Sequence, residues 1–215
     1  MKNNHLLWIN ILIALLVFTS IATSDDKAVK VISKLQKKYT SIKDATISFT
    51  QEVKFGATGA EEIFHGKFYM KKGNKYRIEM EDQIIVTDSK SVWRYTEYNK
   101  QLLIDHYRED PTGFSPENIL LNIPAQFTPV VIGNEKISDK QTLIIKLSPR
   151  DEKNTLRWIK VWIDEENMIS KKIQLMDISN NLFTYNIEGA SFDTGLSAGL
   201  FEFKPPENVN VIDLR

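Results

Sequence analysis

Cysteine is absent from the whole 215-residue chain. The protein therefore has no disulfide, no thiolate nucleophile and no cysteine at which a lipid could be attached. A charge excess of one sign is also lacking, because 28 basic side chains balance 28 acidic ones and give a formal net charge of zero. A chain with that balance is not expected to bind nucleic acid.

Residue patterns typical of catalysis or metal binding are equally scarce. His65 and His106 are the only histidines after residue 24, and they are far apart with no second ligand nearby. Neither Ser115 nor Ser191 completes the G-x-S-x-G pattern of a nucleophilic serine. The acidic run at 164–166 precedes an asparagine, which favours an exposed hairpin turn over paired catalytic acids. We expect neither an enzyme nor a metal or cofactor site.

The N-terminus has the pattern of a secretion signal. Lys2 precedes a mostly apolar segment, Leu6 to Ile21, and the small residues at 22–24 offer a cleavage site before Asp25. These 16 apolar-rich residues are short for a spanning helix of about 17 to 25 residues, although an uncleaved membrane anchor is the alternative. Residues 1–24 are predicted to be a cleaved signal, and residues 25–215 a single domain because no linker divides them.

The mature chain begins with a helical pattern and continues with strand patterns. Ala28, Ile32, Leu35 and Tyr39 recur at helical spacing. From residue 45 onwards, short segments with alternating apolar and polar residues are separated by polar turns, which predicts an antiparallel meander. Gly66 interrupts one of these strands and predicts either curvature or the close approach of another element.

A short helix is expected between the two halves of the meander. Ser115-Pro116-Glu117 supplies an N-cap, a first-turn proline and a first-turn acid. With about ten strands and two helices, the sheet is too long to stay flat. The predicted fold is therefore mainly β with short helices, an unclosed antiparallel half-barrel with a helical lid over an apolar cavity.

Several segments together resemble the outer-membrane lipoprotein carrier family LolA. The resemblance is carried by Phe49-Thr50-Gln51, by Gly66 to Phe68, by the run from Gln83 to Asp88 leading to Trp93-Arg94-Tyr95, and by Phe201 to Pro206 leading to Val209-Asn210-Val211. These motifs occur in order over essentially the whole mature chain. The outer-membrane receptor LolB has a similar fold but begins with a lipid-modified cysteine, so the absence of cysteine favours the soluble carrier.

The resemblance implies a monomeric periplasmic chaperone that binds the acyl chains of lipoproteins. Such a protein receives lipoproteins from an inner-membrane lipoprotein-releasing ABC transporter and passes them to an outer-membrane LolB-like receptor. In the family an arginine before a proline, in the turn after the second strand, helps to hold the lid closed. Ungapped counting from Gly66 places Lys72 and Gly73 there, so Lys72 is the latch candidate, although it lacks the planar fork of arginine. The alternative is that Lys72 is one more solvated turn lysine beside Lys71.

We predict two sets of apolar residues for the binding site. The three lid residues are Ile119, Leu120 and Leu121. The residues predicted to line the cavity and bind acyl chains are Phe68, Met70, Ile84, Val86, Trp93, Tyr95, Leu143, Ile145 and Leu147. For each of them the alternative is an ordinary core residue that never meets a ligand.

Two further alternatives stay open at the level of sequence. Trp158 and Trp162 share one face of a strand, and burial under the first helix is favoured over a docking surface. The function could also be that of a periplasmic lipid or glycolipid shuttle, or of a lipid-sensing module with the same fold. A sensor is expected to carry a second domain for its partner, which favours the carrier.

Overall fold

The computed structural model describes residues 24–108 and 126–215. These ranges form one long helix, twelve strands and a short 3₁₀ helix, Ala198–Phe201. The helix and the strands have the following bounds: α1 Ser24–Ser41, β1 Asp44–Lys54, β2 Glu61–Lys71, β3 Lys75–Met80, β4 Gln83–Thr87, β5 Ser91–Thr96, β6 Gln101–His106, β7 Phe127–Ile137, β8 Lys140–Pro149, β9 Leu156–Asp164, β10 Ile169–Asp177, β11 Leu182–Phe192 and β12 Asn210–Asp213.

All twelve strands belong to a single sheet with two edges. The strand order is β12-β6-β5-β4-β3-β2-β1-β11-β10-β9-β8-β7, so β12 and β7 lie at opposite edges of an unclosed sheet. Every neighbouring pair is antiparallel except β6 and β12, which are parallel. The prediction of an unclosed, mainly β fold is confirmed. The predicted sheet is antiparallel throughout, and among the described strands only the pair of β6 and β12 departs from this. The predicted lid residues, and the helix start at Ser115, lie outside the described residues.

Helix α1 forms where its apolar stripe predicts it. Asp25 and Asp26 lie in its first turn and Lys38 in its last turn, which places charges favourably at both ends of the helix dipole. The buried stripe includes Ala28, Leu35 and further apolar residues at spacings of three and four. This stripe packs on one side of the sheet and forms a single core cluster with residues of β1, β2, β3 and β7 to β10. We call this side the helix-covered face and the opposite side the outer face.

Strands β7 and β12 are not evident from the sequence. In β7, Pro129 and Gly133 interrupt the alternation of side chains, and the ladder to β8 shifts register between Val131 and Gly133. An edge strand tolerates proline because one row of its N–H groups has no ladder partner. All residues of β12 are exposed, so no apolar alternation marks this strand.

Gly66 in β2 admits the ring of Phe49 from the neighbouring strand. The two residues are directly opposite, and a Cβ atom at Gly66 would lie 2.5 Å from Phe49 Cζ. The Phe49 side chain is only 3 % exposed and contacts the Tyr185 ring at a centroid distance of 6.0 Å, so it cannot move aside without losing packing. Of the two roles expected for Gly66, the structure shows close approach.

Replacing Gly66 by alanine is expected to lower the free energy of unfolding by about 1 to 3 kcal/mol, because the added methyl group overlaps the buried ring. Gly189→Ala is the matched control, since Gly189 also lies in the sheet but a Cβ there would meet no atom within 4 Å. Urea denaturation followed by circular dichroism measures both changes. Equal stability of the two variants would contradict this account.

Candidate functional site

Five of the nine predicted lining residues lie together on the helix-covered face. Phe68 and Met70 project from β2, and Leu143, Ile145 and Leu147 project from β8. All five belong to the core cluster that includes the buried stripe of α1. The most exposed of them, Met70, is only 7 % exposed, so a ligand would reach these side chains only if α1 or its neighbours moved.

The other four predicted lining residues lie on the outer face. Ile78 is opposite Ile85, so the neighbouring Ile84 and Val86 point away from the helix. Trp93 is opposite Val86 and Tyr95 is opposite Ile84, which places all four side chains on the same side. The nine residues therefore do not form one surface. In β4, Ile85 is the residue on the helix-covered face. Because residues 84–86 are all apolar, the sequence alone does not show which of them face α1.

The C-terminal segment covers the outer-face group. Tyr95, Leu102 and Ile104 form a second buried cluster, and Phe203 and Val209 pack against it. The rings of Tyr95 and Phe203 have a centroid distance of 5.8 Å. The segment that ends in β12 thus gives these apolar side chains a protein partner, which makes this cluster a second small core.

Helix α1 is too short to cover its face of the sheet. Its 18 residues give a length of about 27 Å. Twelve strands spaced about 4.8 Å apart extend for about 50 Å. Even if α1 lay straight across the strands, it would cover only about half of the face.

A group of partly exposed apolar side chains lies beside the region that α1 covers. We call this group the open apolar patch. Its members come from β2, β3, β4 and β11, which are near neighbours in the sheet, and each is neither fully buried nor fully exposed: Phe64, Met80, Ile85, Phe183, Tyr185 and Ile187. Within the patch, Gln51 Nε2 donates a hydrogen bond to the Tyr185 hydroxyl at 2.9 Å, and burial raises the pKa of Tyr185, so this phenol stays neutral.

The helix is fixed to the sheet by a buried tyrosine. Tyr39 lies in the last turns of α1, and its hydroxyl accepts a hydrogen bond from the Ser170 backbone N–H at 2.9 Å. The same hydroxyl donates to Ser170 Oγ at 3.3 Å. Burial raises the pKa of Tyr39 against the opposing effect of these hydrogen bonds, so the group remains a neutral donor and acceptor. The C-terminal end of α1 is thereby joined to β10.

A buried carboxylate holds a loop at the same end of the sheet. Asp44, at the start of β1, is 4 % exposed and accepts hydrogen bonds from the backbone N–H groups of Thr194, Gly195 and Leu196. Burial raises the pKa of Asp44, but these hydrogen bonds together outweigh burial and hold its pKa below the usual value. Asp44 therefore stays ionised and fixes residues 194–196 beside the end of α1.

The turn between β9 and β10 is a third fixed point at this end. Asp164 accepts hydrogen bonds from the backbone N–H groups of Glu166 and Asn167 at 3.0 and 3.1 Å. Glu165 and Glu166 are exposed and form ion pairs with Lys27 and Lys140. The predicted hairpin turn is confirmed, although Asp164 is buried rather than exposed. We call this side of the sheet the anchored end; most of the open apolar patch lies towards the opposite ends of the strands.

Lys72 lies in the turn between β2 and β3. Gly73 and Asn74 follow it with positive φ angles of 92° and 58°, which a tight turn requires. The Lys72 backbone N–H donates to the Lys43 carbonyl oxygen at 2.8 Å, and its side chain is exposed. The neighbouring Lys71 instead uses its side chain, which donates to the Leu196 carbonyl oxygen. A contact between Lys72 and the lid stays a prediction because the lid lies outside the described residues.

The tryptophans of β9 are on the outer face, which corrects the expectation that they pack under α1. Ile159, Val161 and Ile163 occupy the helix-covered face and belong to the main core. Trp158 and Trp162 alternate with them and therefore point the other way. Both faces of this strand carry apolar side chains, so alternation alone did not identify the buried one.

No metal or membrane-spanning element emerges from the described ranges. Within residues 24–108 and 126–215, no group of three or more histidine, aspartate or glutamate side chains is placed to hold a metal ion. No helix in those ranges has both the length and the apolar character needed to cross a bilayer.

Comparison with known proteins gives one family. The model of the family described as "Outer membrane lipoprotein carrier protein LolA" matches residues 40–204. An outer-membrane lipoprotein carrier protein of Haemophilus ducreyi is 24 % identical over 202 residues, covering 93 % of this chain and 92 % of the relative. Its counterpart in Legionella pneumophila is 25 % identical over 204 residues, covering 94 % and 96 %.

A solved structure supports the fold. An uncharacterized conserved protein from Thermus thermophilus superposes with a TM-score of 0.59 at 12 % identity, covering 86 % of this chain and 98 % of that protein. At this identity the likeness concerns the fold alone.

Tyr39→Phe is expected to reduce the free energy of unfolding by about 1 to 3 kcal/mol, because the buried Ser170 N–H loses its hydrogen-bond acceptor. Tyr98→Phe is the matched control, since Tyr98 is 94 % exposed and its replacement should change stability by less than about 0.5 kcal/mol. Urea unfolding curves provide the comparison. If both variants were as stable as the unmodified protein, the Tyr39 hydroxyl would not anchor α1.

Proposed function

Because the chain belongs to the LolA family, whose model matches residues 40–204, we propose that it carries acylated lipoproteins through the periplasm from the inner to the outer membrane. LolA-family proteins are carriers, and this chain is not an enzyme. The proposal includes a cleaved signal at residues 1–24, a single mature domain and a monomeric carrier. Its partners are the inner-membrane lipoprotein-releasing transporter and a LolB-like receptor.

The observation that carries this proposal is the incompletely covered apolar face of the sheet. The open apolar patch offers partly exposed side chains from four strands, next to a core in which Phe68 and Met70 are buried. We propose that acyl chains bind first on this patch and extend towards the buried residues as α1 or the lid at 119–121 moves. The outer-face residues Ile84, Val86, Trp93 and Tyr95 are not part of this acyl site.

Release of the cargo requires a competitor for the same face. An acyl chain of about 14 to 16 carbons gains about 11 to 13 kcal/mol when it is fully removed from water. Five large apolar side chains, four in α1 and one directly after it, together gain about 8 to 15 kcal/mol by the same measure: Val31, Ile32, Leu35, Tyr39 and Ile42. The gain for a single acyl chain is similar to that of the helix side chains, so exchange of these protein contacts for one acyl chain can be close to balanced. When the acyl chain leaves, apolar side chains of the protein cover the empty site, and the free energy that they gain offsets the loss of the acyl contacts. The cargo can therefore be released.

Native mass spectrometry tests the proposed cargo. The protein is purified from the periplasm of a host that expresses one tagged triacylated lipoprotein. We expect a one-to-one complex that disappears when the acylated cysteine of the lipoprotein is replaced. Phospholipid adducts without lipoprotein would instead favour a general lipid shuttle, and an empty protein would favour a lipid-sensing module.

Met80→Glu is expected to weaken the binding of a fluorescent fatty-acid analogue by about tenfold or more, because it places a charge in the open apolar patch and removes about 1.5 kcal/mol of apolar contact. Ile63→Glu is the matched control, since Ile63 is 63 % exposed and projects from β2 on the outer face. Fluorescence titration measures both affinities. Equal affinities in variants of equal melting temperature would exclude the patch as the acyl site.

Lys72→Leu is expected to leave folding intact, because the side chain is exposed, and to slow cargo transfer about tenfold by removing a charged hydrogen-bond donor worth about 1.5 kcal/mol. Lys67→Leu is the control, since Lys67 is an exposed lysine on the outer face of β2, the strand that precedes the turn. Transfer between membranes is followed in a reconstituted system. Unchanged kinetics would show that Lys72 is only a solvated turn residue.

A further inference from the structure

Three lysines and two tryptophans lie together on the outer face of strands β8, β9 and β10. Trp158, Lys160 and Trp162 alternate along β9, with Lys146 on one neighbouring strand and Lys172 on the other. Met176 is directly opposite Trp158. We call these six residues the lysine–tryptophan face. It lies on the side of the sheet away from α1, so it is separate from the proposed acyl site.

The positive charges of this face exceed the negative charge of the Glu135 carboxylate, which lies beside them at Trp162 Nε1. Lys146 and Lys160 are directly opposite each other across β8 and β9, where two like charges destabilise a sheet. Ranges 144–148, 158–162 and 172–176 contain no aspartate or glutamate. Across the described residues, none of the three lysines forms an ion pair. The neighbouring indole rings offset the charge of Lys160 and Lys172 only in part, so an anionic partner would relieve the repulsion that remains.

The tryptophans give the face an amphipathic character. Lys160 Nζ lies 4.6 Å from the centroid of the Trp158 ring, and Lys172 Nζ lies 4.7 Å from that of Trp162. Trp162 is 5 % exposed, and its Nε1 donates a hydrogen bond to Glu135. Trp158 is only partly buried, and Ile178, which follows the end of β10, is 58 % exposed. Indole rings beside lysine ammonium groups suit the boundary between lipid head groups and acyl chains.

We propose that the lysine–tryptophan face docks the protein on the surface of a bilayer that contains anionic phospholipid. A bilayer surface offers many phosphate groups at once and requires no groove, so it fits side chains presented by a sheet. An acidic protein could also neutralise the lysines and cover Trp158 and Met176, and vesicle binding distinguishes the two kinds of partner. In this arrangement the acyl site remains on the other side of the sheet.

Each lysine near an anionic membrane surface strengthens binding about fivefold, the factor that corresponds to about 1 kcal/mol. Together the three lysines account for about a hundredfold difference in the partition coefficient. The attraction weakens within a Debye length, so binding should fall steeply as salt is added.

Vesicle co-sedimentation with the secreted protein tests this docking. Vesicles of phosphatidylglycerol and phosphatidylethanolamine serve as the anionic probe, and vesicles of phosphatidylcholine alone serve as the neutral one. We expect salt-sensitive binding to the anionic vesicles and about a hundredfold loss in the triple variant Lys146→Gln, Lys160→Gln and Lys172→Gln. Brominated lipids should quench Trp158 fluorescence, and the Trp158→Phe variant should lose that quenching.

The control triple variant is Lys30→Gln, Lys34→Gln and Lys37→Gln, which removes the same charge from exposed positions of α1. It should keep its binding to the anionic vesicles.

Equal losses of binding in the two triple variants would attribute binding to net charge and overturn the proposal. Equal binding to neutral vesicles would attribute it to the acyl site and would overturn the proposal as well. An absence of binding to either kind of vesicle would overturn it in favour of an acidic protein as the partner. Circular dichroism verifies that each variant is folded.

Discussion

The structure depends on an apolar sheet face that is about twice as long as the helix available to cover it. Hairpins build the runs β1 to β6 and β7 to β11, the pairing of β1 with β11 joins these runs, and β12 adds to β6, so the twelve strands form one continuous sheet. The described residues supply only one long helix. Burial of the α1 stripe against β1 and its neighbours creates the main core. The remainder of that face keeps partly exposed apolar side chains, and a protein that binds lipid needs such a surface.

The two ends of the strands differ in how firmly they are held. At the anchored end, Tyr39 joins α1 to β10, Asp44 holds the loop after β11, and Asp164 closes the turn after β9. All three groups are buried and hydrogen-bonded, so displacing any of them would leave buried polar atoms without partners. Towards the open apolar patch, Gln51 donates to the Tyr185 hydroxyl, and the hydrogen bonds from the His65 N–H to Glu81 and from the Gly56 N–H to Asn181 lie at exposed positions where water can replace them. An opening movement is therefore cheaper at the end where Phe64 and Met80 lie.

Much of the fold could be predicted from the sequence, because turn residues and alternation mark most of the strands. Strands β1 to β6 occupy the region where short segments and polar turns predict a meander, and α1 forms where the apolar residues recur at helical spacing. Alternation cannot assign side chains to a face of the sheet where consecutive residues are all apolar. Ile84 and Ile85 are one such case, and Trp158 and Ile159 are another, in which Ile159 is the residue in the main core. Strand β7 was missed because Pro129 and Gly133 break the pattern of a half-buried strand. The set of lining residues is partly wrong because the sequence does not show which face of the sheet each apolar residue occupies, and only residues on one face can form one site.

Strand β7 also determines how the sheet ends. Its outer edge would otherwise be a template on which another chain could continue the ladder. Pro129 has no N–H group to offer, and the shift in register between Val131 and Gly133 displaces the groups that follow. Ile132, at that irregularity, is 47 % exposed. This edge of the sheet is thus a poor site for strand addition.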